Sequence, residues 1–246
     1  MIISPSDVIE CLSEYKLSEN EKRYLDDHVY RYIETSQLIN SIIEKGKFIK
    51  KVLDLGSGYG QMASLIKFFY NYQVYAIDFQ EKLESVLSRR DIPFKCVDLE
   101  KEKIPFGNNF FDLILFCEVI EHLNPYCVQN VLSEIHRILS TDGYLLLTTP
   151  VRGPFSKIFN MFVKPQHSRK KILERALHVK TYERRELQRM LQNAGFITVT
   201  ATHSKAWESS GLSIRGLPKQ LRPIRKFLGN FPLLVESDLM ILCIKK

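Results

Sequence analysis

The chain predicts an α/β fold, an open and mostly parallel sheet with helices on both faces. Three observations carry this. Short apolar runs recur, each ending in a turn signal or a carboxylate; helical patterns separate them; and a glycine turn stands where the first run hands over to the first of those helices. Val52, Leu53 and Leu55 suit a strand buried on both faces. The run stops at Gly56, with Gly58 and Gly60 at alternate positions, and Met62, Leu65, Ile66 and Phe69 then repeat at helical spacing. A second run, Val74 to Ile77, ends in Asp78, and a third, Phe94 to Val97, ends in Asp98-Leu99. Asp112 to Cys117 is the fourth strand and Tyr144 to Thr148 the fifth, after a turn at Ser140-Thr141-Asp142-Gly143. A helix from about Pro125 to Leu139 joins the last two. Beyond Thr181, Leu187, Met190 and Leu191 mark a helix that Gly195 ends, and strands follow at 196–200 and 239–244.

Charge narrows what the glycine turn can hold. A dinucleotide fingerprint wants G-x-G-x-x-G, but here the third glycine comes one residue early and Gln61 fills its place. Asp54, at the strand's end, would repel phosphate and suit an ammonium or sulfonium. Asp78 falls where a carboxylate grips ribose hydroxyls. Three strand-end aspartates beside a glycine turn fit an adenosine that carries a cationic amino acid.

Val52–Gly60, Asp78, Asp98-Leu99 and Phe111–Phe116 together resemble the successive motifs of class I S-adenosylmethionine-dependent methyltransferases. The resemblance covers roughly residues 50–150 and, more loosely, 181 to the end. It implies a Rossmann-like, seven-stranded sheet and S-adenosyl-L-methionine as cofactor. It places Gly56, Gly58 and Gly60 near the methionine moiety, Asp78 on the ribose, and Asp98 and Leu99 at the adenine. Asp54, Ser57, Phe79, Cys117 and Glu118 complete the cofactor-binding set.

Methyl transfer from a sulfonium is a direct displacement, so the protein must align the partners and remove one proton. The residues after the fourth strand, Glu118-Val119-Ile120-Glu121-His122, are the candidates. Read as a helical turn, they put Glu118, Glu121 and His122 on one side, where they could hold a divalent cation with positions open to substrate hydroxyls. Glu121 and His122 are also the candidate catalytic pair without metal, His122 as general base. The E-x-x-E-H pattern is similar to that of ubiquinone-biosynthesis O-methyltransferases and of small-RNA 3′-terminal 2′-O-methyltransferases. In the RNA group Mg²⁺ or Mn²⁺ bridges enzyme and ribose, and a further histidine completes the site. His178 is the match for it here and His167 the alternative.

The 246 residues, 45% hydrophobic, suffice to bury one core. They divide into N-terminal helices (1–46, a pattern from Leu17 to Ile42 behind Ser4-Pro5), a cofactor-binding core (47–150), an insert (151–180) and the C-terminal part of the sheet (181–246). No apolar run is long enough to span a bilayer. The first residues lack a basic start before an apolar core. Five scattered cysteines form no C-x-x-C pair, which excludes a zinc knuckle and reads as reduced thiols in a cytoplasmic protein. The net charge of +7 is uneven: residues 151–232 hold 17 lysines and arginines against 4 acidic residues, leaving the remainder at −6. In 151–180 the cations interleave with Phe155, Ile158, Phe159, Phe162, Leu173 and Leu177, a pattern that suits an anionic membrane surface. An RNA backbone is the less favoured partner. The expected reaction is O-methylation of a small lipophilic or anionic acceptor. The rivals are a metal-dependent RNA ribose 2′-O-methyltransferase and a non-catalytic cofactor-binding module. Acceptor identity and oligomeric state are not written in the sequence.

Overall fold

The computed structural model describes residues 3–15, 17–152, 178–204 and 236–246. Among them seven strands form one sheet: β1 (Lys51–Leu55), β2 (Gln73–Asp78), β3 (Phe94–Cys96), β4 (Phe111–Cys117), β5 (Leu139–Arg152), β6 (Phe196–His203) and β7 (Glu236–Lys245). Their order is β3-β2-β1-β4-β5-β7-β6. The first five are mutually parallel, and β7 runs antiparallel to both β5 and β6. This is the mostly parallel, seven-stranded, Rossmann-like sheet that the sequence implied.

Side-chain alternation along the strands sorts the core into two layers. Val52 of β1 and Leu113 and Leu115 of β4 pack with α1 (Pro5–Ser13), α2 (Glu19–Glu44) and α3 (Gln61–Tyr70) on one face. Leu53, Leu55, Ile114 and Phe116 face the other way, against α5 (Val128–Ile138) and α6 (Arg184–Asn193). The short α4 (Glu84–Ser88) places Leu87 in the first layer. Strands buried on both faces need apolar residues at odd and even positions alike, which is why β1 and β4 read as continuous runs.

Two local readings change. Leu139 is already strand, and the Ser140–Gly143 turn lies inside β5: Phe111 pairs with Leu139 but Leu113 with Tyr144, so the register jumps across a bulge. Asp142 sits there at φ 58°, and a Cβ on Gly143 would come within 2.8 Å of the Ser140 carbonyl. The helix expected from Pro125 begins only at Val128, because Asn124 builds a turn first, its side chain accepting the Tyr126 amide and its carbonyl the Cys127 amide. Most of the basic insert, with His167, lies outside the described residues, as does the basic stretch between β6 and β7.

The N-terminal helices are bound to the glycine turn by buried polar contacts. Ser4 and Ser18 cap α1 and α2 with capping boxes. Glu21 closes the second box through Oε2 and receives Arg90 Nη2 on Oε1 at 2.8 Å. Arg90 also donates to the Tyr59 carbonyl at 2.7 Å, and Gln61 bridges the Tyr32 hydroxyl to the Glu21 carbonyl. The Arg90 and Glu21 side chains are only 2% and 9% exposed. Removing one partner of such a pair leaves an uncompensated buried charge and costs about 3–5 kcal/mol. Urea unfolding of Arg90→Met is expected to show a loss of that size, and the Arg90→Met/Glu21→Gln double variant less than the sum of the singles.

Candidate active site

β1 has β2 on one side and β4 on the other, and the helices that follow β1 and β4 cover opposite faces. The carboxyl ends of β1 and β4 therefore flank the crevice of the sheet's switch point. On the β1 side, Gly56, Gly58 and Gly60 all adopt left-handed backbone, at φ 81°, 50° and 71°. The Gly56 and Ser57 amides both donate to the Ile77 carbonyl, 2.8 and 2.9 Å away, which fastens the turn to the end of β2. A Cβ on Gly56 would stand 2.3 Å from Val119 Cγ2, whereas one on Gly58 would meet open space. A ligand can thus approach the backbone at Gly58.

Asp78, at the end of β2, accepts the Gly58 amide at 2.9 Å and the Gln80 amide at 3.1 Å, and Phe79 beside it is 70% exposed. Ser57 Oγ is buried with no hydrogen-bond partner among the described residues. Asp54 is buried beneath the turn and accepts the Ala63 amide at 3.1 Å. Burial pushes its carboxyl up to about 7, with the charge of Asp78 adding to the effect. Asp98 keeps its carboxylate in its own turn, on Lys101 and the Glu100 amide, while Leu99 packs against the core layer covered by α5 and α6. Cys117 closes β4, its thiol pushed up to about 12 by burial, which makes it inert as a nucleophile.

On the β4 side, Glu118 has φ 57°, and a 3-10 turn spans Ile120–His122. Glu118 is therefore not on a helical turn with Glu121. Its oxygens go to the Thr148 hydroxyl, at 2.9 Å, and to Arg31 of α2, at 3.2 Å. Arg31 also reaches Asp238 of β7 at 3.3 Å. Glu121 is 1% exposed, accepts the Thr149 hydroxyl at 3.0 Å on Oε2, and leaves Oε1 buried without a partner among the described residues. Burial raises both carboxyls, that of Glu121 to about 7. The Glu121 carbonyl accepts the amides of Val179 and Lys180, at 2.8 and 3.1 Å, and this sets His178 beside His122 with ring centroids 4.9 Å apart.

Of the sequence-derived candidates, the structure gathers Asp54, Ser57, Gly58 and Asp78 on one bank of the crevice, and Glu121, His122 and His178 on the other. Glu118 faces Arg31 instead. Sequence reading missed Arg31, Thr148 and Asp238. Thr148-Thr149 was visible as a polar pair closing an apolar strand; nothing local marks Arg31, whose partners lie on β4 and β7.

A glycine turn at the switch point, a carboxylate ending β2 and an anionic crevice define a domain that binds an adenosine bearing a cationic amino acid. The chain belongs to the methyltransferase-domain family, whose model matches residues 20–201. It is 28% identical over 124 residues to the malonyl-acyl-carrier-protein O-methyltransferase of Bacillus cytotoxicus, an alignment covering 48% of this chain and 42% of that one. The chain spans about half the length of the curated relatives it matches. Among solved structures, geranyl diphosphate C-methyltransferase from Streptomyces coelicolor superposes with TM-score 0.62 at 14% identity, covering 96% of this chain and 84% of that one. A SAM-dependent methyltransferase from Archaeoglobus fulgidus gives 0.59 at 17%, covering 91% and 99%. The domain is of class I, the kind that uses S-adenosylmethionine, and the orphaned Ser57 hydroxyl and the open space at Gly58 fit that molecule.

Asp78→Ala removes a charged hydrogen-bond acceptor worth about 1.5–3 kcal/mol, so calorimetry should show roughly 10- to 100-fold weaker S-adenosylmethionine binding, while Asp78→Asn loses less. Asp54 has its folded pKa raised above its unfolded value of 3.8. Its stabilising contribution is complete below that value and is lost as pH rises through about 7. Measured by urea unfolding without ligand, the stability of the native protein relative to Asp54→Asn should fall between pH 4 and pH 7 and then level off.

Proposed function

We propose that the chain transfers the methyl group of S-adenosylmethionine to an oxygen of a small acceptor. The observation that carries this reading is the Glu121 carboxylate: Thr149 holds one oxygen, and the other is buried and without a partner at the carboxyl end of β4. An acceptor hydroxyl would satisfy that oxygen, and its hydrogen bond would turn a lone pair towards the donor side of the crevice. His122, exposed beside it, is placed to pass the released proton to solvent. Ser57, the open backbone face at Gly58 and Asp78 would hold the donor. Bound there, S-adenosylmethionine supplies an electrophilic methyl on a sulfonium, and the buried carboxylates favour that positive charge. Exposed Val179, next to His178, offers apolar surface at the acceptor side. That surface suits a lipophilic acceptor, and an anionic one is compatible with the likeness to the Bacillus malonyl-acyl-carrier-protein O-methyltransferase. The basic and apolar composition of 151–180 supports a contact with anionic membrane.

A second reading, ribose methylation at RNA, is favoured by the convergence of His178 on Glu121 and His122. Incubation with methyl-labelled S-adenosylmethionine and a methyl-poor extract separates the two. Label is expected in the organic or small-molecule fraction and to drop at least tenfold in Glu121→Gln. Label confined to RNA would replace the first reading with the second.

A further inference from the structure

The glycine turn has a filled side and an open one. A Cβ on Gly60 would stand 2.1 Å from Leu87 Cδ2 and 3.8 Å from Arg90 Nη1, whereas one on Gly58 would meet nothing within 4 Å. Arg90 follows α4, and its side chain, 2% exposed, reaches the turn with its fork. Nη1 donates to the Tyr59 carbonyl at 2.7 Å and to the Ser64 hydroxyl at 3.3 Å, while Nη2 pairs with Glu21 of α2. The carbonyl that Arg90 holds shares one peptide group with the Gly60 N–H. That N–H donates to the Ser57 carbonyl at 2.8 Å and closes the four-residue turn 57–60. A planar trans peptide points its carbonyl and its N–H in opposite directions, so the two bonds pin one plane from both sides. Ser57, with its unpartnered hydroxyl, and Gly58, with its amide on Asp78, stand within the turn thus closed.

We propose that Arg90 is a positioning residue for the donor, acting through the peptide between Tyr59 and Gly60 so that Ser57, Gly58 and Asp78 present one fixed surface to S-adenosylmethionine. This rests on the reading of the glycine turn as the donor's bank. The need for such a hold comes from the turn's own composition. Gly58 and Gly60 sit at φ 50° and 71°, and glycine has little preference for one backbone region over another. A turn built on two glycines is soft, and the apparent affinity of a ligand falls with the fraction of chains in the shape it fits. Arginine suits the task better than lysine, because its planar fork meets the Tyr59 carbonyl and Glu21 with separate nitrogens. Tyr15, between α1 and α2, supports the guanidinium with its ring centroid 5.0 Å from Cζ. The N-terminal part of the chain thereby steadies the donor turn through Arg90.

The test compares Arg90→Lys, Arg90→Met and Glu21→Gln in the full chain by S-adenosylmethionine calorimetry, with circular dichroism reporting folding. Both arginine variants should bind at least tenfold more weakly, as when the competent turn falls to about a tenth of the population. Glu21→Gln breaks the buried pair yet keeps Nη1 on Tyr59, so donor binding should weaken less than threefold while stability to urea falls. A merely structural arginine would not give that split between affinity and stability. Because an unpaired Glu21 threatens the fold of Arg90→Met, the substitution is repeated over Glu21→Gln, where a further tenfold loss is expected. Amide hydrogen exchange gives a second readout. The Gly60 N–H should exchange at least tenfold faster in Arg90→Lys and slow again when S-adenosylmethionine is added. Unchanged donor affinity on replacing Arg90 in either background, or a loss in Glu21→Gln as large as in the arginine variants, overturns the proposal. A donor site placed elsewhere would show differently: Asp78→Ala would bind as tightly as the native chain, while Gly60 exchange still reported on Arg90.

Discussion

The pairing of β1 with β4 is the constraint on which the rest depends. These two strands are parallel neighbours whose following helices cover opposite faces of the sheet, so the chain leaves their carboxyl ends in opposite directions. The gap between the departing chains is the only ready-made crevice such a sheet provides. Each bank is shaped by left-handed backbone, Gly56 after β1 and Glu118 after β4. The banks also touch: the space a Gly56 side chain would take is filled by Val119. Glycine is thus required on one side by the shape of the other, besides its own φ. A non-glycine residue such as Glu118 in that conformation is uncommon and carries a cost, and its effect is to aim the carboxylate at Arg31 and Thr148 instead of along the following turn.

Electrostatics divide the labour in the crevice. Asp54 and Glu118 are buried deeply enough for desolvation to raise their carboxyls, and Arg31 offsets part of this at Glu118. A site that stores carboxylates out of water favours a ligand that arrives with positive charge. Arg31 matters in a second way. It sits on α2 and joins the ends of β4 and β7 through Glu118 and Asp238, while Glu21 on the same helix meets Arg90 behind the glycine turn. Helix α2 is thus fastened on both sides of the crevice by charges that are largely screened from water.

The parts legible in the sequence were those whose signal is local. An apolar run stopping at Gly56 marked β1, runs ending in aspartate marked β2 and β3, and the glycine spacing marked the turn; all arise from neighbours along the chain. The bulge inside β5 was read as a turn because Asp142-Gly143 are turn residues, and only pairing with β4 and β7 makes the flanks one strand. The E-x-x-E-H spacing suggested one helical face, but the left-handed Glu118 breaks that geometry, a backbone choice its residue type does not announce. Arg31 with Glu118 and Asp238, and Glu21 with Arg90, were illegible because their partners are distant in sequence. His178 was found by resemblance, and the physical reason for its position, two amides on the Glu121 carbonyl, is visible only in the fold.

Glu121 is where these levels meet. Its side chain is held by β5 through Thr149, and its carbonyl receives the chain as it returns towards α6. The bridge between Val151 and Tyr182 fixes the same two stretches to one another a short way off. Whatever conformation residues 153–177 take, the chain leaves from and returns to the acceptor side of the crevice, with its exit at β5 and its re-entry on Glu121. The described residues that flank the basic, aromatic-rich segment are thereby anchored beside Glu121 and β5. The candidate donor residues Asp54, Gly58 and Asp78 lie instead on β1, β2 and the turn between β1 and α3. The glycine-turn bank of the crevice is therefore set by the sheet, and the opposite bank by Glu121, which β5 holds through Thr149 and which receives the returning chain on its carbonyl.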